Sequence, residues 1–123
     1  MKMNKENIKR IIVKFSGIED DGLAARQTGK AAAIRGNARE ALELFWTGVE
    51  YGRKSVCPSV LLHSRVLDTG DADMIKIPRH TEIFFELDCE EPEALRSAFE
   101  IIKRTAVGAA LMTGCEVAVA PST

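Results

Sequence analysis

The sequence predicts an α+β sandwich with elements in the order β-α-β-β-α-β. Short runs in which every second residue is apolar, at 8–16 and about 79–87, predict strands buried on one face. Apolar residues at helical spacing after Asn37 and after Pro92 predict two helices. One helix follows the first strand and the other precedes the last, with two strands between them.

The first strand, 8–16, is rich in β-branched residues and places Ile11, Val13 and Phe15 on one face. The stretch from Gly17 to Gly36 follows, with Gly22 and Gly29 inside it. It is longer than the ~4–6 residues of most connections, which makes it a candidate functional or mobile loop. The first helix is expected over 37–54. Asn37 can cap it by accepting a backbone N–H bond, and Ala38, Leu42, Phe45 and Val49 form its apolar stripe. Arg53 and Lys54 fall in the last turn, where cations suit the carbonyl end of the helix. Cys57-Pro58 then stops it, because a residue before proline avoids the α region.

A second strand is expected from Val60 to Leu67, and Asp68-Thr69-Gly70-Asp71 has turn chemistry. The third strand, from about Arg79 to Leu87, sets Ile83, Phe85 and Leu87 on one face. Glu90-Glu91-Pro92-Glu93 is a helix start: proline needs no N–H bond in the first turn, and acids suit its positive end. Leu95, Phe99, Ile102, Ala106 and Ala109 make the second stripe, which Gly114 should terminate. Cys115, Val117 and Val119 alternate as the last strand. The whole chain reads as one domain, 8–119, with 1–7 and 120–123 as frayed ends.

Two split β-α-β units of this kind build the ferredoxin-like sandwich, a four-stranded antiparallel sheet with two helices on one face. Right-handed crossovers then set the strand order as fourth, first, third, second, which leaves the second and fourth strands as edges.

A chain of 123 residues can bury a real core, and 28% charged with 46% hydrophobic residues is ordinary for a globular protein. A net charge of −1 with scattered Lys and Arg argues against nucleic acid and membrane surfaces as partners. No apolar run approaches the ~20 residues that span a bilayer, and the amino end shows no signal core. Cys57, Cys89 and Cys115 are odd in number and far apart, neither a disulfide framework nor a metal knuckle. Reduced thiols and a cytoplasmic location are expected.

Gly108-Ala-Ala-Leu-Met-Thr-Gly-Cys-Glu-Val117 resembles the end of the lid, or dimerisation, domain of the di-zinc amidohydrolases and exopeptidases of the aminoacylase, carnosinase and aminobenzoyl-glutamate hydrolase type. The resemblance spans roughly 10–119. Ile12-Val-Lys-Phe-Ser-Gly17 is similar to the family's opening Phe-x-Gly strand, and Asn37-Ala38 with Glu40-Ala-Leu-Glu-Leu44 to its first helix. Pro58, His63 and Asp68-Thr-Gly70 resemble its second strand, and Ile77-Pro78 with Glu82 the approach to its third. The resemblance implies this fold and pairing of two lids through the second strand and the adjacent helix.

The catalytic contributions that the resemblance implies do not appear in this chain. The family's lid histidine would fall at Ala33, and residues 1–62 contain no histidine. Its substrate-binding asparagine corresponds to Ile75, which cannot donate that bond. Its carboxylate-pairing arginine corresponds to Asp88, of opposite charge. A metal-assisted hydrolase also needs a metal to acidify its water, and the family's metal ligands lie in another domain.

Other motifs carry less. Gly22 and Gly29-Lys30 are spaced too widely for a phosphate loop, and Ala31 stands where such a loop needs Ser or Thr. His63 and His80 lack the companions of a metal site. Asp20-Asp21 has no calcium-loop spacing, and Trp46 and Tyr51 read as packing or interface residues. No catalytic, cofactor-binding or metal-binding residue is therefore assigned, and no cofactor is expected. The expected function is non-catalytic self-association as a homodimer through an edge strand. The alternatives are a small-molecule-binding or regulatory module whose Gly17–Gly36 loop closes over a ligand, or an accessory subunit of a separate catalytic chain.

Overall fold

The computed structural model describes residues 8–17, 36–70 and 78–122. The expectations for Asp20, Asp21, Lys30, Ala33 and Ile75, for the Gly17–Gly36 loop as a lid, and for fraying of 1–7 fall outside these residues.

The elements are β1 (Ile8–Ser16), α1 (Ala38–Gly52), β2 (Leu61–Asp68), β3 (His80–Asp88), α2 (Pro92–Thr113) and β4 (Glu116–Pro121). The sheet is antiparallel, in the order β2-β3-β1-β4. This is the α+β, ferredoxin-like arrangement and strand order that the sequence predicts.

The core lies between the sheet and the helices. Ile11, Val13 and Phe15 of β1 and Ile83, Phe85 and Leu87 of β3 point into it, fully or almost fully buried. The β1–β3 register sets Ile11 opposite Phe85 and Val13 opposite Ile83, so the two strands bury one continuous face. Phe45 reaches down from α1 and meets Phe15 and Phe85 edge-on, each at 5.5 Å between ring centres. Thr81 is the buried polar residue of this layer. Its hydroxyl donates to the carbonyl of Ala38 at 3.0 Å, and the N–H of Ala38 donates to the carbonyl of Pro78 at 2.9 Å. The start of α1 is thereby tied to the start of β3.

The caps follow the sequence. Asn37 Oδ1 accepts from the N–H groups of Arg39 and Glu40, at 3.0 and 3.1 Å. Pro92 opens α2, and Gly114 ends it with φ of 74°, in the left-handed region that glycine enters without strain. Asp68 Oδ1 accepts the N–H of Gly70 at 2.9 Å, and the turn expected there continues at Asp71, outside the described residues.

Four details differ from the sequence expectation. α1 ends at Gly52, and Arg53–Ser55 tighten into a single 3₁₀ turn that satisfies the last carbonyls. β2 begins at Leu61 rather than Val60, and Leu67 forms a bulge between Val66 and Asp68. Phe99 is only half-buried: it packs against the margin of the core with the ammonium of Lys9 3.9 Å above its ring, while its neighbour Ala98 is buried. β4 runs through Pro121, and the N–H of Ser122 donates to Arg10, so the expected fraying does not begin at residue 120.

The helices approach closely because α1 offers glycines to α2. A Cβ at Gly48 would meet Thr105 Cγ2 at 2.5 Å, and one at Gly52 would meet Ile101 at 3.0 Å. Among the described residues no helix is long and apolar enough to cross a membrane.

Candidate functional site: the free edge at β2

Among the described residues two strands of the sheet have one neighbour only, and they differ in how they treat that edge. β4 is six residues long and ends in Pro121, which cannot donate to a ladder. β2 is eight residues long and contains no proline. It holds regular register with β3 from Leu61 to Val66. Its open-face side chains include Leu61 and Leu67, 57% and 43% exposed. A long edge with exposed leucines is the kind that takes up another strand.

α1 extends the apolar surface beside this edge. At ~100° per residue, Gly48 and Gly52 project to one side of the buried stripe, against α2, while Trp46 and Arg53 project to the other. Trp46 is partly exposed on that second flank, and Tyr51 is also exposed on the helix. Arg53, Val56, Cys57 and Pro58 line a groove of about 280 Å³ with Val60, Leu61, Leu62 and His63, which places the end of α1 beside the start of β2.

The residues singled out for metal or acid–base chemistry are not brought together. His63 is exposed on β2 opposite Glu86, whereas His80 begins β3 opposite Ser16. Glu86 and His80 lie six positions apart along β3, ~20 Å of extended chain. His80 Nε2 lies 2.8 Å from Glu82 Oε1, and Lys14 reaches the same carboxylate at 3.7 Å. With Arg10 on Glu86 at 2.9 Å, these pairs make the open face of the sheet a mosaic of opposite charges. Among the described residues no three His, Cys, Asp or Glu side chains could hold a metal ion. Asp88 stands at the end of β3, between Leu61 and Ile8.

Burial pushes the Cys115 thiol above its ordinary value; its interaction with the Thr113 side chain opposes this, and the charge of Glu40 adds to it. At neutral pH Cys115 should therefore alkylate with iodoacetamide more slowly than a free cysteine, with its rate levelling off at higher pH. A rate profile matching free cysteine would contradict this. The shift also bears on stability. As pH rises through the ordinary thiol range, the unfolded chain loses its proton first, so stability falls until the folded thiol ionises too.

No protein-family model and no curated protein matches the chain. Solved structures do. A hydantoinase/carbamoylase family amidase from Burkholderia ambifaria superposes with a TM-score of 0.72 at 14% identity, over 94% of this chain and 27% of that one. The aminobenzoyl-glutamate utilization protein of Klebsiella pneumoniae superposes with a TM-score of 0.71 at 16% identity, over 93% of this chain and 27% of that one. The fold is shared with a segment of each of these proteins. The chain spans about a quarter of their length, as the resemblance to a lid domain implies. At such identities the likeness establishes architecture, and function must be argued from the site.

The local sequence pattern indicated the edge strand but missed two of its features. The bulge at Leu67 leaves no mark in a run of alternating residues. The approach of Arg53 to Leu61 depends on where the end of α1 lands on the sheet, and no periodicity encodes that.

Proposed function

We propose that this chain is a non-catalytic self-association domain, two copies of which join antiparallel along β2 with α1 of each copy beside the seam. The observation that carries the reading is the eight-residue, proline-free edge of β2 with exposed Leu61 and Leu67, with Trp46 exposed on the side of α1 turned away from α2. A strand pairing with its own copy makes an isologous contact that closes at two copies. Backbone bonds across the seam would set register, and the leucines and Trp46 would supply apolar burial. Asp88, where the lid resemblance calls for an arginine, supports a role without substrate contact.

The quarter-length match to larger hydrolases supports a second reading, in which the same edge serves an assembly that includes a separate catalytic chain. The groove beside Arg53 and His63 supports a small-molecule alternative should the chain be monomeric.

Sedimentation velocity at micromolar concentration should show a dimer for the unmodified chain. Successive N–H groups point to opposite sides of a strand, so one of Leu61→Pro and Leu62→Pro removes an outward donor while the other removes one directed at β3. The outward variant should sediment as a folded monomer. A monomeric unmodified chain, or a dimer that survives both prolines, would refute the β2 seam.

A further inference from the structure

Three side chains meet where the chain enters β2 and leaves β3. Cys57 Sγ lies 3.1 Å from Ser59 Oγ, and the same hydroxyl lies 3.5 Å from Cys89 Sγ. The two sulfurs are thus no further apart than these contacts laid end to end, although Ser59 and Cys89 are 30 residues apart. Two features of the fold produce the meeting. Cys57-Pro58-Ser59-Val60 is a β-turn closed by the Val60 N–H on the Cys57 carbonyl at 2.9 Å. The β2–β3 ladder begins with Leu61 opposite Asp88, and its continuation by one residue sets Cys89 beside Val60.

The two thiols differ in access. Cys57 is exposed at the rim of the groove, while Cys89 is 3% exposed and its sulfur accepts the N–H of Glu91 at 3.4 Å. A reagent in solution meets Cys57 first, and Cys89 is reached through Cys57. The third cysteine cannot take part. Cys115 follows the far end of α2, whose 22 residues span ~33 Å.

We propose that Cys57 and Cys89 form a dithiol site that takes low-molecular-weight disulfides of the glutathione kind. The Cys57 thiolate attacks one sulfur of the small disulfide. Its S–S bond breaks, and one small thiol leaves, carrying a proton in place of the one Cys57 gave up. Cys89 then gives up its proton and attacks Cys57 Sγ, releasing the second small thiol. Two protein thiols become one disulfide and one small disulfide becomes two thiols, so no further oxidant is needed. Ser59 turns its hydroxyl aside, and rotation about both Cα–Cβ bonds brings the sulfurs together. The product fastens the turn before β2 to the segment before α2.

The test is a mass measurement on the reduced full chain, incubated folded with oxidised glutathione, quenched with iodoacetamide and weighed intact. The unmodified chain should lose two hydrogens, retain one alkylated cysteine at Cys115, and yield a peptide joining Cys57 to Cys89 that dithiothreitol reverses. Cys89→Ala should trap one glutathione on Cys57, and Cys57→Ser should leave Cys89 unmodified while circular dichroism reports a folded chain. A stable glutathione adduct on Cys57 beside a free Cys89 in the unmodified chain would overturn the proposal. So would a disulfide between two chains, or reaction at Cys115 alone. The decisive measurement uses no substitution, so a variant that fails to fold leaves it intact. Mass rather than assembly is read, so this site and the β2 seam stand or fall separately.

Discussion

Replacing Phe45 with alanine should lower stability by about 3–5 kcal/mol, enough to remove much of the roughly 5–15 kcal/mol that holds a domain folded. Phe45 is fully buried and is the side chain through which α1 meets both central strands, at Phe15 and Phe85. Truncation removes its own burial and two edge-to-face contacts, and leaves a cavity that rigid strands cannot close. The melting temperature should fall by about 10–20 °C. Phe45→Leu keeps most of the volume and should cost clearly less. Equal melting temperatures for Phe45→Ala and the unmodified chain would mean that α1 does not pack on β1 and β3 as described.

Adding one methyl at Gly17 and at Gly108 should move stability in opposite directions. A Cβ at Gly17 would fall on the carbonyl oxygen of Gly36, a backbone atom that cannot swing away as a side chain would. Gly36 is itself held, with its N–H on the carbonyl of Thr113 at 2.8 Å, and Gly17 donates to Arg79 at 2.7 Å. Gly17→Ala must therefore push the end of β1 away from the start of α1, at a cost of about 2 kcal/mol or more. Gly108 lies within α2 with no described atom near its missing Cβ, so Gly108→Ala should stabilise by about 0.5–1 kcal/mol through helix propensity. Urea denaturation midpoints read both. A neutral Gly17→Ala would show that the two chain segments are not in contact.

Among the described residues both β2 and β4 have unpaired backbone on one side, and in both the residues facing the helices are only partly buried. Pro121 blunts β4, whereas β2 keeps regular register from Leu61 to Val66 and exposes Leu61 at its start and Leu67 at the bulge that follows. A seam at β4 would have to form on six residues, one of which cannot donate.

What the sequence determined by itself is what depends on neighbours along the chain. Alternation identified the buried face of β1 and β3, because side-chain direction in a strand reverses at every residue. Asn37, Pro92 and Gly114 marked helix ends, because each answers a local backbone need at that position. Strand order followed from the handedness of two crossovers. Tertiary structure alone decided what depends on register and on where a helix lands. It buried Ala98 and left Phe99 half-exposed at the margin of the core, buried the hydroxyl of Thr81 under α1, and set Gly17 on Gly36. It also brought Cys57 and Cys89 to one serine. These contacts join residues tens of positions apart, and a pattern repeating every two or four residues holds no information about which distant partner completes it.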